Sequence, residues 1–543
     1  MPSATPPLTL FHMDFNFVCL STPYIRSWLE KLARMGYTGI LWEVEDKVRW
    51  STCPECAWPE AISKPEFREI LDFAASLGLE AIPLLQTIGH AEYVLLQEKY
   101  RPFRERPDEY TCYCTSRPEV RSFLKKWIEE YLDLFGEIRY FHLGGDEAYA
   151  FATCPECASY SRKHGRNRLY AEHVCDLAGP ILSRGVRPAI WCDMVLHYPE
   201  ELHQIPKDFV IWDWNYWSYD QANPPTRVWG HNLITKEQLT PEILATYPQI
   251  VNDRGDLVPF YTADFLTAAG FDVVLCSASR SHGDSVFCPD FELHYQNVAG
   301  VAKKTALTAL LGQCVTSWAI RLNPLETQDI ILRLAPMALR NPEKPARNLL
   351  TEIGMELFGI NPDPFFKAVL ALGRGFAGAG SGTTAIQWSR GKDSLPAPPD
   401  YIASLIESME RDNPEELKAL QDKLRQVSSA FPQALSELAV FLHSASSGFE
   451  QIEPWLTAGY FQVQHSRLAT LIFTGQSDPC LIPWAQHLKR RLADWLACSE
   501  TQKSADKNAG LVYDSLIEFL MNPITIPDHA LKIAALEQTS KHC

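Results

Sequence analysis

The sequence predicts an α/β fold, a (β/α)8 barrel followed by a mostly α-helical C-terminal domain, and three observations predict it. Short apolar runs bounded by Gly or Pro alternate with amphipathic helical patterns through residues 1–340. Eight such strand–helix steps fit in roughly 330 residues, the size of a barrel with long loops. Polar residues recur at the ends of several strands, and no Gly-x-Gly-x-x-Gly turn follows the first strand, which argues against a doubly wound sheet.

Taken in order, Leu8–Asp14 reads as the first strand, with Asp14 at its end. A helix over residues 23–35 follows, with Thr22 as N-cap, Pro23 at its first position and Gly36 closing it. Residues 38–44 form the second strand and run into Glu45 and Asp46. Ser63-Lys64-Pro65-Glu66 opens the next helix as a capping box, and Gly78 ends it. The third strand, 79–85, leads to Gln86-Thr87-Ile88-Gly89-His90. After a helical stretch at 121–134 the fourth strand, 138–143, meets His142-Leu143-Gly144-Gly145-Asp146-Glu147. Arg187–Trp191 is fifth and delivers Trp191 and Asp193. Residues 209–214 are sixth and deliver Trp212, Asp213 and Trp214. Residues 271–276 are seventh, and 311–317 are eighth, ahead of Trp318 and Arg321. Helical patterns at 167–183, 241–247, 291–309 and 327–339 fill the gaps.

From Asn341 the texture changes. Prolines 342, 345, 362 and 364 mark the transition, and residues 373–389 are rich in Gly, Ala, Ser and Thr. Helices are predicted over 401–409, 414–431, 433–444, 484–498 and 509–521, with no catalytic motif among them. The division is therefore a catalytic barrel, 1–340, and a helical domain, 341–543, whose role is packing against the barrel or a second subunit; a homo-oligomer is compatible with this.

Composition narrows the partners. The net charge is −16 and no basic cluster exceeds Lys489-Arg490-Arg491, so neither nucleic acid nor an anionic membrane is expected. No apolar run is long enough to span a bilayer, and residues 1–7 lack the pattern of a signal peptide, so a cytoplasmic location is expected. Trp is abundant, at 15, and suits the apolar faces of sugar rings, although it is also ordinary core material. The 15 cysteines are expected as reduced thiols. Two Cys-Pro-Glu-Cys repeats, Cys53/Cys56 and Cys154/Cys157, carry the spacing usual for structural zinc, with Cys112 and Cys114 between them. Two readings stay open: a structural zinc joining the repeats, or separate turns with free thiols.

The chemistry concentrates after the fourth strand. Adjacent carboxylates at a strand end polarise one another, which separates their pKa values and roles. Strand alternation would send Asp146 and Glu147 to opposite sides, so both reach one substrate only where the strand has ended or bulged, as Gly144-Gly145 permits.

The string His142–Glu147 resembles the signature of the β-N-acetylhexosaminidases of glycoside hydrolase family 20. Further strings are Phe11-His12-Met13-Asp14, Trp42-Glu43-Val44-Glu45-Asp46, residues 82–90 and Thr316-Ser317-Trp318, and the Gln-Thr-x-Gly-His segment is similar to the hexosaminidase D branch. The resemblance implies an exo-acting, retaining hydrolase that needs no catalytic cofactor and acts on oligosaccharides or glycoconjugates ending in N-acetylhexosamine, galacto-configured by preference. In that family the substrate's 2-acetamido group supplies the nucleophile. Glu147 is then the general acid and Asp146 the carboxylate that holds the acetamide N–H. Trp191, Trp212, Trp214 and Trp318 are candidates for the aromatic pocket, and His142 is a candidate substrate-binding residue. His90 pairs with a carboxylate near the acid, or is simply a capping histidine. Asp14, Glu45, Asp46 and Asp193 are candidate hydroxyl ligands or groups supporting such ligands, and each alone could equally be a loop-capping acid. The acetamide tyrosine is open among Tyr149, Tyr216 and Tyr219. The sequence departs from secreted members at two points: Asp14 stands where those carry a sugar-gripping arginine, and Arg321 follows Trp318 in place of a Trp-x-Glu ending. Three rivals remain: a gluco-preferring enzyme of the same mechanism, a two-carboxylate glycosidase using Asp213 or Asp193, and a non-catalytic sugar-binding barrel.

Overall fold

Alternation along short parallel strands sets the architecture. The computed structural model describes residues 6–374 and 399–527, apart from Ala222, Asn232, His282, Ile320, Arg321 and Asn323. Eight strands close into a barrel: β1 (Leu8–Asp14), β2 (Gly39–Glu43), β3 (Glu80–Leu84), β4 (Tyr140–His142), β5 (Arg187–Trp191), β6 (Val210–Trp214), β7 (Asp272–Arg280) and β8 (Gly312–Ser317). Each pairs with its neighbour in the sequence, and β1 closes the ring on β8 through Leu8↔Gly312 and Phe11↔Val315. The predicted strands are all present. β7 runs further than expected, and a two-residue ribbon, Thr226–Arg227 against Leu233–Ile234, was too short to leave a periodic signal.

Period-2 geometry decides what the barrel encloses. Leu8, Leu10, Leu41, Ile82, Leu84, Tyr140, Ala189, Trp191, Val210, Trp212, Val274, Cys276 and Cys314 form one buried interior cluster. Continuing the same parity towards the C-terminal ends brings polar residues into line: His12 and Asp14 on β1, Glu43 on β2, and His142 on β4.

Helices α1 (Thr22–Met35), α2 (Lys64–Ser76), α3 (Pro118–Phe135), α4 (Pro155–His164), α5 (Arg166–Ser183), α6 (Tyr261–Ala268), α7 (Phe291–Leu307) and α8 (Leu325–Arg340) connect or follow the strands. Helix α1 begins one residue earlier than expected, with Ser21 at the cap position. The Thr22 hydroxyl instead donates to Glu66 Oε1 at 2.8 Å. That bond takes the Glu66 carboxylate away from the capping box. Ser63 Oγ still accepts from the Glu66 N–H, so half of the box survives.

The chain divides into two compact units. The first comprises Met1–Ser279, Leu293–Trp318 and Leu332–Leu349, and the second Arg280–Glu292, Ala319–Ile331 and Leu350–Cys543. The second is helical, with Asp363–Gly373, Tyr401–Asp412, Pro414–Ser444, Phe449–Phe473, Ile482–Leu496 and Gln502–Met521. Pro414–Ser444 is one helix where two were expected. Its buried stripe, Leu424, Phe431, Leu438 and Phe441, runs through Pro432 without interruption. The helix Phe449–Phe473 was not anticipated, because it buries residues on several sides, from Ile452 and Trp455 to Phe461, Gln462 and His465, and so lacks a single apolar stripe.

Candidate active site

The β4 strand stops at His142, and the backbone then turns left-handed at Gly144 (φ 63°), Gly145 (φ 84°) and Glu147 (φ 44°). Those conformations cancel the strand alternation, so Asp146 and Glu147 both approach one group, His90. Its Nε2 lies 3.5 Å from Asp146 Oδ2 and 3.7 Å from Glu147 Oε2. Asp146 is buried, whereas the Glu147 side chain is 37% exposed. Glycine is required twice here. A Cβ on Gly144 would fall 2.1 Å from Gln86 Oε1, and one on Gly145 would fall 2.8 Å from the Tyr170 hydroxyl.

The loop after β3 is interlocked with the loop after β4. Leu85 N–H donates to His142 O at 3.0 Å, and the Thr87 hydroxyl donates to Leu143 O at 2.6 Å. Gly89 packs so closely that a Cβ there would lie 2.6 Å from Asp146 O. His90 itself is left-handed, at φ 52°. This accounts for the Gln-Thr-x-Gly-His segment: it carries the histidine across to the carboxylate pair.

Electrostatics follow from burial and crowding. Burial disfavours a charged His90, but Asp146, with Glu92 and Glu147 adding to it, outweighs burial and holds the imidazole well above its ordinary value. Asp193 is braced by two donors, the Glu147 backbone N–H at 2.9 Å and Trp214 Nε1 at 3.3 Å. Burial, then repulsion from Asp146, raises its carboxyl to about 7. Glu43 sits between Gln86 Nε2, which donates at 2.8 Å, and His12 Nε2 at 2.9 Å. It too is raised to about 7, by burial and then by Asp146. His142 is held well below its ordinary value by burial, then by His12, so it is neutral and its Nδ1 accepts the Gly144 N–H at 2.9 Å.

Aromatic rings cover this floor. His142 packs on Trp191 (4.4 Å) and edge-on to Trp212 (5.0 Å). Trp191 in turn meets Trp318 (5.9 Å). Trp214 and Tyr216 stack at 5.3 Å, and both pack on the barrel interior together with Trp318. The Tyr216 hydroxyl is buried, with the Thr316 and Trp318 side chains beside it.

Most of the expected residues converge here, with differences. Trp191 and Trp212 are both fully buried and form floor rather than wall. Glu45 is buried and next to Glu43, while Asp46 is taken up by an ion pair with Lys47. Tyr149 is 80% exposed, and Tyr219 lines a separate cavity with Lys303 and Pro345, so Tyr216 is the tyrosine inside the aromatic cluster. Asp213 has the opposite parity to Trp212 and Trp214. It accepts from the Thr262 hydroxyl of α6 at 2.7 Å and does not face the interior. Arg321 lies outside the described residues. His12, Glu43 and Gln86 were not singled out by the sequence reasoning, although counting alternate residues back from Asp14 and from Glu45 would have found the first two.

The cysteines depart from expectation. Cys53 and Cys56 are joined to each other in a disulfide, so the thiols are not all free and the two repeats do not form one metal set. Cys154 and Cys157 instead converge with Cys114 and Glu105. His12, Asp14 and Glu43 form a second group with metal-compatible spacing.

Residues 43–240 match the family model glycosyl hydrolase family 20, catalytic domain. The chain is similar to hexosaminidase D from Bos taurus (26% identical over 217 residues, 38% of this chain and 63% of that protein). It is also similar to hexosaminidase D from Homo sapiens (27% over 228 residues, 39% of this chain and 46% of that protein). The chain thus spans less than two thirds of the length of these relatives. Among solved structures, the Flavobacterium johnsoniae chitobiase aligns over 96% of this chain and 78% of its own, at 16% identity and a TM-score of 0.47.

Proposed function

We propose that this protein is an exo-acting β-N-acetylhexosaminidase working by substrate-assisted catalysis with retention. The observation that carries the reading is the convergence of Asp146 and Glu147 on His90, made possible by left-handed backbone at Gly144, Gly145 and Glu147. In the first step the substrate's acetamide oxygen bonds to the anomeric carbon as the glycosidic C–O bond breaks, and Glu147 gives its proton to the leaving oxygen. The positive charge then rests on an oxazolinium ring whose N–H donates to Asp146, itself held by cationic His90. Tyr216 offers its hydroxyl to the acetamide oxygen, while Trp214 and Trp318 confine the acetamide against the anomeric carbon. In the second step Glu147 takes a proton from water as the water opens the ring. Asp193 takes no part as nucleophile in this reading; it fixes the Glu147 backbone.

For the finer specificity we propose a preference for terminal N-acetylgalactosamine. The inward ends of β1 and β2 present Asp14, Glu43 and His12 as acceptors and donors for ring hydroxyls, rather than an arginine at the end of β1. The experiment is a comparison of nitrophenyl β-glycosides. Cleavage of the 2-acetamido substrates with the galacto epimer faster, and no cleavage of their 2-hydroxy counterparts, is the expected result. Cleavage of the 2-hydroxy substrates would overturn the mechanism, and a faster gluco epimer would overturn the preference alone.

A further inference from the structure

We propose that Glu105, Cys114, Cys154 and Cys157 bind one structural zinc ion that ties the loop after β3 to the loop after β4. One ligand atom from each lies within 4.8 Å of all the others, and all four residues are buried. Cys114 Sγ is 3.7 Å from both Cys154 Sγ and Cys157 Sγ, too far for a disulfide. Zinc–sulfur bonds of about 2.3 Å in tetrahedral geometry separate two sulfurs by about 3.8 Å. The same geometry puts a carboxylate oxygen about 3.5 Å from a sulfur, and Glu105 Oε2 lies 3.4 Å from Cys157 Sγ. Three of the six edges of a three-sulfur, one-oxygen tetrahedron are thus laid out, and the other three are no longer than 4.8 Å.

The surrounding donors fit a metal-bound, anionic set. Glu105 Oε1 accepts the N–H groups of Thr153 (2.8 Å) and Cys154 (2.9 Å), which turns Oε2 towards the sulfurs. The Cys157 N–H donates to Cys154 Sγ at 3.3 Å, and the Ser116 hydroxyl lies 3.0 Å from Cys157 Sγ. Such outer contacts orient ligands and stabilise thiolates. None of these hydrogen-bond partners is a cationic side chain, and a buried carboxylate packed among three thiols is costly unless a cation compensates it.

The loops involved are the catalytic ones. Glu105 and Cys114 stand on a small antiparallel ladder, Glu105 N–H to Cys112 O and Cys114 N–H to Phe103 O, which is joined to the His90 segment through Tyr113 N–H to Ile88 O. Cys154 and Cys157 open α4, just beyond Asp146 and Glu147. The ion would thus brace the frame that holds His90 against the carboxylates. The site itself does not depend on the proposed reaction, because its first readout is metal content.

The full chain, purified without chelator, should carry about one zinc per molecule. Cys114→Ser and the Cys154→Ser/Cys157→Ser pair should lose it, while the Cys53→Ser/Cys56→Ser pair should keep it. Should the cysteine variants fail to fold, blocking the thiols of the wild type with a mercurial must release the zinc in step with the modification of three thiols. Cobalt(II) in its place must show thiolate-to-metal charge transfer with tetrahedral ligand-field bands. A folded wild type that takes up neither zinc nor cobalt would overturn the proposal. So would zinc that persists in Cys154→Ser/Cys157→Ser, or zinc lost from Cys53→Ser/Cys56→Ser.

Discussion

Replacing His90 with asparagine tests the electrostatic core of the site. Asparagine tolerates the left-handed backbone at this position, φ 52°, so the substitution removes the imidazole without forcing the loop. The imidazolium lies 3.5 Å from Asp146 and 3.7 Å from Glu147. At an effective dielectric of about 20, each contact is a gross attraction of about 4–5 kcal/mol. Desolvation of the three groups and the 30% exposure of the His90 side chain reduce this. The net loss should be near that of a charged hydrogen bond, about 1.5–3 kcal/mol, and therefore roughly ten- to a hundredfold in kcat/KM. The stability effect has a definite sign. His90 is held above its ordinary value, so its contribution is complete below about pH 6.5 and is lost as the pH rises through the folded value. The difference in Tm between wild type and variant should therefore be widest near neutral and acidic pH and close in alkali. Steady-state kinetics on a nitrophenyl N-acetylhexosaminide and thermal melts across pH provide the readout. A change in kcat/KM below about twofold, with a Tm difference independent of pH, would refute the reasoning.

Other substitutions follow from the same geometry. Asp146→Asn and Glu147→Gln should each lower kcat on the order of 10²–10⁴-fold with unchanged circular dichroism. Gly89→Ala places a Cβ 2.6 Å from Asp146 O, so it should cost about 1–3 kcal/mol of stability and depress kcat by moving the two loops apart. Asp213→Asn should leave activity within a few-fold of wild type, because Asp213 contacts Thr262 rather than the interior; loss of all activity would revive it as a nucleophile. Glu43 is raised from 4.5 to about 7, so its folded form keeps a proton that the unfolded chain releases, and stability drains away as pH rises through 7. Glu43→Gln, which copies the protonated form, should then be more stable than wild type at pH 8 by up to about 3 kcal/mol, a difference that denaturant titration would show shrinking below pH 5.

The barrel was legible because its signals are local. Each strand is a short apolar run, each helix a stripe, and each boundary a Gly, Pro or Ser whose backbone preference acts within a few residues. The Asp146–Glu147 pair was legible for the same reason: Gly-Gly before two acids is a local pattern. What could not be read depends on contacts between distant segments. That Cys154 meets Glu105 and Cys114 instead of Cys53 follows from a ladder between residues 103–105 and 112–114, for which no periodicity exists. Asp213 and Asp193 look equivalent in the sequence, yet one faces α6 and the other the carboxylate pair, because only Asp213 falls within a strand and obeys its alternation. Glu66 shows the same limit on a smaller scale: its local partner was Ser63, but Thr22 on another helix takes its carboxylate.

The density of acid around one point also explains why the site needs its braces. Glu43, Asp146, Glu147 and Asp193 crowd together, and burial, followed by repulsion from Asp146, is the reason that Glu43 and Asp193 retain protons to about 7. Left to side-chain freedom, these groups would move apart. Three are instead fixed by donors from different strands or loops, Glu43 by Gln86, Asp193 by Trp214 and Asp146 by His90, and the Glu147 backbone N–H is held by donating to Asp193. Asp193 therefore has two opposed effects, holding Glu147 in its left-handed conformation while repelling Asp146. Trp214→Phe removes the Nε1 donor and leaves Asp193 with a single partner. Its carboxyl should then ionise less readily, loosening Glu147 at neutral pH, and the lower limb of the kcat/KM profile should shift to higher pH. An unshifted limb with only a raised KM would mean that Trp214 serves the sugar alone and that Asp193 is held without it.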